Sequence, residues 1–271
     1  MRPIVCLILL ICALVVAPAA AQDTADTAPT AAPETGPTAD GTLRRIHAPI
    51  LMYHYVSPLP PDWDAVRKDL TVLPDLFRAH MEYLFFEGYT PISLYDLNDA
   101  LLDGRELPAK PVVLTFDDGY EDHYTTVFPT LRQFNFTATF FVITGAADAN
   151  RPGYLTWDQI REMSDAGMDM EAHTKNHVEL DGRTYDELVY EMLGSMESLA
   201  HYTGHPAHMF SFPVGRYDDL TLEVAAQMPI WRAVTTQSGA LHTTDNRFEL
   251  ARTRIHFDTS VDALAAILRD N

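Results

Sequence analysis

Beyond residue 21 the sequence contains no cysteine: of its 271 residues only Cys6 and Cys12 are cysteines, and both lie in an apolar run at the N-terminus. A disulfide framework, thiolate metal ligation and cysteine nucleophiles are therefore excluded for the rest of the chain. Positive charge is also scarce. Nineteen Lys and Arg stand against 38 Asp and Glu, a formal net charge of −19. That balance opposes a nonspecific hold on nucleic acid or an anionic membrane, because such polyanions are bound by clustered Lys and Arg. A neutral or cationic partner fits better. Long hydrophobic runs are missing too, and the apolar stretch 4–16 falls short of the ~20 residues a membrane-spanning helix needs. With Arg2 before it and Ala19-Ala20-Ala21 ahead of Gln22, residues 1–21 read as a signal peptide with an A-x-A cleavage pattern. The chain is expected to be exported to the periplasm, the cell envelope or the medium, without stable membrane insertion after cleavage. Cys12 sits mid-run without small residues before it and is not read as a lipid-attachment site.

Residues 22–45 are rich in Ala, Thr and Pro and poor in large apolar side chains. Such a segment cannot bury enough surface to offset its ordering entropy, so it is expected to be a flexible linker. The folded domain is placed at 46–271. Within it, short apolar runs alternate with amphipathic stretches, the pattern of β/α units around a parallel sheet or barrel. Strands are expected at 50–55, 111–116, 137–143, 168–172, 209–212, 232–236 and 252–257. Helices are expected at 74–86, 93–102, around 123–133, at 157–166, onward from a Thr184/Glu187 capping box, and at 260–268.

The unusual polar clusters each follow a predicted strand, where barrels of β/α units build their active sites. Asp117-Asp118 follow 111–116. Two adjacent carboxylates raise each other's pKa unless a cation resolves the conflict, although Asp-Asp-Gly is also a good turn sequence. His173 and His177 are four residues apart, a spacing that can bring two imidazoles to one side of a helical turn. With Asp118 they make two nitrogens and one carboxylate oxygen, a set that suits Zn²⁺ or another divalent transition metal with open positions for water and substrate.

Thr115-Phe-Asp-Asp-Gly-Tyr120 and His173-Thr-Lys-Asn-His177 together resemble the first two signature motifs of the polysaccharide deacetylase superfamily, carbohydrate esterase family four, also called the NodB-homology domain. The resemblance spans about residues 49–268. It implies an α/β fold, a distorted (β/α) barrel with incomplete closure in a single domain, and a metal-dependent hydrolase acting on an N-acetylated polysaccharide. It assigns Asp117 as general base and Asp118, His173 and His177 as metal ligands. Where the family's third motif usually carries an arginine, this sequence has Ser211, in Phe210-Ser-Phe-Pro-Val-Gly215. That departure resembles the poly-N-acetylglucosamine deacetylase branch, in which another arginine near the last strand orients the base; Arg252 is the candidate and Arg254 the reserve. The Val214 backbone N–H is implied as an oxyanion donor. The same branch takes its general acid from an N-terminal Tyr-His motif, matched by Tyr53-His54, with His256 near the last strand as rival. Tyr120, with Tyr53 and Tyr154, is placed for contact with a sugar ring. The other histidines, among them His80, His123, His201, His205, His208 and His242, are read as surface or loop residues.

Overall fold

The short apolar runs become strands whose alternate side chains feed two different cores. The computed structural model describes residues 40–59 and 62–270; the expected signal peptide and most of the expected linker lie outside them. Eight strands form one sheet in which every pairing is parallel: β1 (Ile50–Tyr53), β2 (Thr90–Pro91), β3 (Pro111–Phe116), β4 (Thr139–Val142), β5 (Asp169–Ala172), β6 (Met209–Ser211), β7 (Arg232–Val234) and β8 (Thr253–Arg254). Their order is β7-β6-β5-β4-β3-β1-β8, with β2 also against β3. β7 and β8, at the two ends of this order, do not pair with each other; one isolated parallel bridge joins Val234 of β7 to Leu250, ahead of β8. The result is a distorted, incompletely closed (β/α) barrel in a single domain.

Period-two alternation sorts the side chains. In β3, Val112, Leu114 and Phe116 pack outward with Leu51, Tyr53, Phe140 and Phe210 beneath the helices. Val113 points the other way, to Ile50, Phe141, Met209, Val234 and Leu250 inside the barrel. The helices cover the outer layer by their own periodicity. Helix Pro74–Phe86 buries Phe77, His80, Met81 and Leu84, and Tyr185–Thr203 buries Leu188, Met192, Met196 and Leu199. Capping boxes at Ser93, Thr156, Thr184 and Asp218 satisfy backbone donors where four helices start.

Some elements differ from expectation for local reasons. The strand expected over 50–55 breaks at His54, and Tyr55–Val56 pairs separately with Thr71–Val72. Only Thr253–Arg254 of 252–257 is strand, and His123–Val127 is a π-helical turn leading into helix Phe128–Phe134. Helices Ala65–Asp69 and Thr144–Asp148, five residues each, are too short to show a period in sequence. Inside the segment expected as linker, Arg44 donates to Asp40 and to the Leu102 carbonyl, and Arg45–His47 pairs antiparallel with Leu241–Thr243. Among the described residues no helix is long and apolar enough to cross a membrane.

Candidate active site

The strand phase that points Ile50, Val113 and Met209 into the barrel continues past the strand ends. Counting in twos, it carries His54 after β1, Asp117 after β3, His173 after β5 and Ser211 in β6 to the same interior face. Sheet-type hydrogen bonds persist there, from Asp117 N–H to the Tyr53 carbonyl at 3.0 Å and from His173 N–H to the Val142 carbonyl at 3.1 Å. His54, Asp117 and His173, with Asp118, Tyr120, His177, Val214 and Arg254, line a cavity of about 510 Å³, and Ser211 is fully buried behind Asp117.

Asp117 is buried, and its carboxylate is gripped by the fully buried Arg252. Nη1 donates to Oδ1 at 2.7 Å and Nη2 to Oδ2 at 2.6 Å, a bidentate fork. The guanidinium is itself held by Thr115 Oγ1, Ser211 Oγ and the Thr235 carbonyl. Ser211 Oγ also lies 3.3 Å from Asp117 Oδ2, so the residue at the place of the absent motif arginine joins the same network. Burial pushes the Asp117 pKa up, but Arg252 outweighs it and holds the group at about 2. Of the two arginines proposed to orient the base, it is Arg252 that touches Asp117; Arg254 lies on the cavity wall.

Asp118 leaves the strand phase through a backbone φ of 76°, which turns its carboxylate toward the two histidines. Asp118, His173 and His177 each place one ligand atom within 4.8 Å of the others. Both imidazole Nε2 atoms lie 3.2 Å from Asp118 Oδ1, yet that buried oxygen accepts no hydrogen bond of sound geometry. Three donors converging without satisfying one another fit a shared cation. Burial raises the Asp118 pKa, but the two histidines hold it well below the carboxylate range; burial lowers that of His177, and Asp118 more than reverses it. His173 Nδ1 lies 2.7 Å from the Ser211 carbonyl, so Nδ1–H donates there and leaves Nε2 for a metal.

The two histidines do not share a helical turn. Residues 173–177 form a loop in which Thr174 (φ 62°) and His177 (φ 55°) are left-handed, and the Thr174 hydroxyl accepts from His177 N–H. Helix Tyr185–Thr203 clamps the loop from outside: Glu191 accepts both the backbone N–H and the side-chain amide of Asn176, at 2.9 and 2.8 Å. Gly145 lies so close beneath the Lys175 carbonyl that a Cβ there would collide with it. Among the described residues six non-glycines have positive φ; three of them, Asp118, His177 and the β-branched Val214 (φ 59°), line this cavity, and a fourth, Thr174, stands in the loop that carries His177. Such a cluster of strained backbone marks a functional site.

His54 is buried, and burial lowers its pKa to about 4 against the opposing charges of Asp118 and Asp117. Its carbonyl accepts from His123 Nε2 at 2.6 Å. The rival His256 is half-exposed, bonded to Asp69 at 2.8 Å, and does not line the cavity. Several residues read as peripheral are not. His80, His123, His208 and His242 are buried, each with a ring nitrogen on a backbone carbonyl, because a neutral imidazole can cap an orphan carbonyl inside the core. Tyr53 is fully buried against Phe77 and Phe116 and cannot meet a sugar ring. Tyr120 and Tyr154 do line surface cavities. Glu191 and Gly145 were missed, although a carboxylate among Leu188, Met192 and Met196 on the buried face of a helix is a sequence-level sign of a buried polar task.

A family model described as polysaccharide deacetylase matches residues 104–232. YxkH of Bacillus subtilis, assigned by its name to the polysaccharide deacetylases, is 32% identical over 220 residues, covering 81% of this chain and 75% of that protein. The chain belongs to the polysaccharide deacetylase family. Deacetylases of this family are metal-dependent hydrolases acting on polysaccharides. The chain is also 32% identical over 129 residues to the poly-beta-1,6-N-acetyl-D-glucosamine N-deacetylase of Escherichia coli K12, a match covering 42% of this chain and 19% of that protein. Among solved structures, the Streptococcus pyogenes deacetylase PplD in complex with acetate superposes with a TM-score of 0.78 at 32% identity, over 83% of this chain and all of that one.

Proposed function

We propose that this deacetylase is exported and removes N-acetyl groups from an N-acetylglucosamine-containing polysaccharide, with Asp117 as base, His54 as acid, Arg252 as the residue that positions the base, and Asp118, His173 and His177 as ligands of a Zn²⁺-type ion. The observation that carries this reading is the buried Arg252 fork on Asp117, reinforced by Ser211, directly beside the Asp118-His173-His177 group. A Zn²⁺-type ion held there would supply a Lewis acid for the acetamide carbonyl and acidify a water. Asp117, ionised by Arg252 despite its burial, accepts the water proton. The Val214 N–H, presented by a left-handed turn on the cavity rim, donates to the oxygen that gains negative charge. His54 is neutral at rest. As the carbon–nitrogen bond breaks, His54 relays to the departing amine the proton that Asp117 took from the water, which returns Asp117 to its carboxylate form. Because burial makes the His54 imidazolium a strong acid, the transfer to the amine is ready. Acetate and a glucosamine nitrogen result, and the cationic product leaves an acidic protein of charge −19.

The neutral polymer is favoured by the same charge balance and by the likeness to the poly-beta-1,6-N-acetyl-D-glucosamine N-deacetylase. Residues 1–21, read as a cleaved signal peptide, support export, with residues 46–271 as the deacetylase domain. The test is acetate release from a panel of purified polymers: poly-N-acetylglucosamine, chitin oligomers, peptidoglycan, acetylated xylan and a strongly anionic acetylated polymer. Fastest release from poly-N-acetylglucosamine is expected; faster release from the anionic polymer would reverse the assignment.

A further inference from the structure

His54 stands in a break in the sheet, and its imidazole has little of its own to hold it. Strand β1 ends at Tyr53, and the chain resumes pairing at Tyr55–Val56 against Thr71–Val72 instead of β3. His54 is buried, yet its Nδ1 has no hydrogen-bond partner among the described residues. A histidine that carries out chemistry through one ring nitrogen is ordinarily oriented by a bond at the other. Here that bond is missing, so the aim of the ring has to come chiefly from the main chain that carries it.

That main chain is held at the backbone groups the break exposes. The His54 carbonyl accepts from His123 Nε2 at 2.6 Å, Tyr55 N–H donates to the Leu70 carbonyl at 3.1 Å, and Val56 N–H donates to Asp122 Oδ2 at 3.2 Å. Two consecutive residues, Asp122 and His123, thus grip the chain on both sides of Tyr55. Asp122 precedes and His123 opens the π-helical turn His123–Val127, a rare geometry that is frequent at functional sites. The His123 ring is fully buried against Phe116, Tyr120 and Phe140, which leaves it no room to swing away. Phe116 immediately precedes Asp117, so the same ring ties the His54 break to the strand that carries the base. Because Nε2 faces a carbonyl it carries the proton, and Nδ1 is left without a partner among the described residues. A buried nitrogen left unsatisfied is a cost that Leu or Phe at this place would avoid. What the imidazole adds there is its donor.

We propose that His123, seconded by Asp122, is the positioning residue of the general acid: it fixes the His54 main chain, and thereby the reach of the His54 imidazole to the departing nitrogen. The inference rests on the reading of His54 as acid given above. His123 itself does not line the cavity of the reacting groups. Without its grip His54 would drift, and a misplacement of about 1 Å can cost about 10² in rate. The loss should fall on reactions that need a proton delivered to the leaving group, because Asp117 is held separately by Arg252 and His173 by the Ser211 carbonyl.

The experiment measures kcat on the N-acetylglucosamine pentamer and on para-nitrophenyl acetate, whose leaving oxygen needs little protonation. It uses the metal-loaded full chain, its His54→Ala, His123→Leu and His123→Gln variants, and the double variant His54→Ala with His123→Leu. His123→Leu should lose at least about tenfold on the pentamer and less than about threefold on the ester, with metal content unchanged. His123→Gln, whose amide N–H reaches about as far as the imidazole Nε2, should recover the pentamer rate to within about threefold of the unaltered protein. Adding His123→Leu to His54→Ala should cost nothing further on the pentamer, because a residue that acts through another has no effect once the other is gone. An equal loss on both substrates, no recovery with glutamine, or a further loss in the double variant overturns the proposal. If His123→Leu does not fold, Asp122→Ala decides: a pentamer-selective loss supports the clamp, and an equal loss or none overturns it. A pentamer-selective loss in His54→Ala without one in His123→Leu removes the positioning role alone. No such loss in His54→Ala sinks the acid reading, and the positioning role falls with it.

Discussion

Removing the Arg252 guanidinium should separate the stability of the site from its chemistry. The side chain is fully buried and places both ends of its fork on a buried carboxylate. In Arg252→Met the volume is roughly kept, but Asp117 is left as an uncompensated buried charge, a class of change that costs about 3–5 kcal/mol. A second route gives a smaller part of that figure. The Asp117 pKa is held at about 2 against an ordinary 3.8, which corresponds to about 2 kcal/mol favouring the folded state. Because the folded pKa is depressed, this contribution is present above pH 3.8 and is lost as pH falls toward 2. In the variant, burial is opposed only by the smaller pull of His173 and His54, so the Asp117 pKa rises and the acid limb of the acetate-release profile should move to higher pH. Loss of the fork also lets the base drift, and a misplacement of about 1 Å can cost about 10² in rate. The assay is acetate release against pH with metal content measured in parallel, together with thermal melting. Arg252→Met with full metal, activity within threefold of the unaltered protein and an unmoved acid limb would refute the role given to Arg252.

If His54 protonates the leaving amine, His54→Ala should keep fold and metal yet lose roughly 10² to 10⁴ in kcat on an acetamide, with a much smaller loss on an activated ester; His256→Ala should be nearly silent, and the reverse pattern would move the acid to the last strand. The loop of the two histidines should depend on its clamp: Glu191→Ala or Gly145→Ala should weaken metal binding by about 10- to 100-fold, read by competition with a chelator, and unchanged affinity would show that the loop stands without them. Acid should release the metal. Asp118 raises the His177 pKa above 6.5, so in the metal-free protein that ion pair contributes stability below pH 6.5 and is lost as pH rises through the raised value. Proton and metal compete for the same imidazole, and affinity should begin to fall at a pH above 6.5; affinity flat from pH 8 to 5 would exclude His177 as a ligand.

Much of this site was legible because a strand end is a local event. The run Pro111–Phe116 sets its own phase, and that phase alone delivers Asp117 to the barrel interior. His54 follows by the same count from Ile50, which is why interrupting the predicted strand there did not displace it. The His173/His177 spacing pointed to a shared ligand face but to the wrong backbone, because a four-residue interval suits a helical turn and also a loop with two left-handed residues. Long-range partners left no comparable trace. The bond between Arg252 and Asp117 joins residues 135 apart, and Arg254 shares its phase, so the choice between them turns on depth: Arg252 is fully buried against Thr115 and Ser211, while Arg254 stands on the cavity wall. Nor does composition reveal that His123 caps the His54 carbonyl or that Glu191 grips Asn176. Those contacts exist only once the helices have packed.

The central claim is that Asp117 activates water beside a metal held by Asp118, His173 and His177. It is tested most directly by measuring acetate and new primary amines released from poly-N-acetylglucosamine by the purified protein and by Asp117→Asn, each carrying one equivalent of Zn²⁺. The account predicts equal amounts of acetate and amine from the unaltered protein and at least about a hundredfold slower release from Asp117→Asn at the same metal content. Equal rates from the two proteins, or no acetate from the metal-loaded unaltered protein, would contradict it.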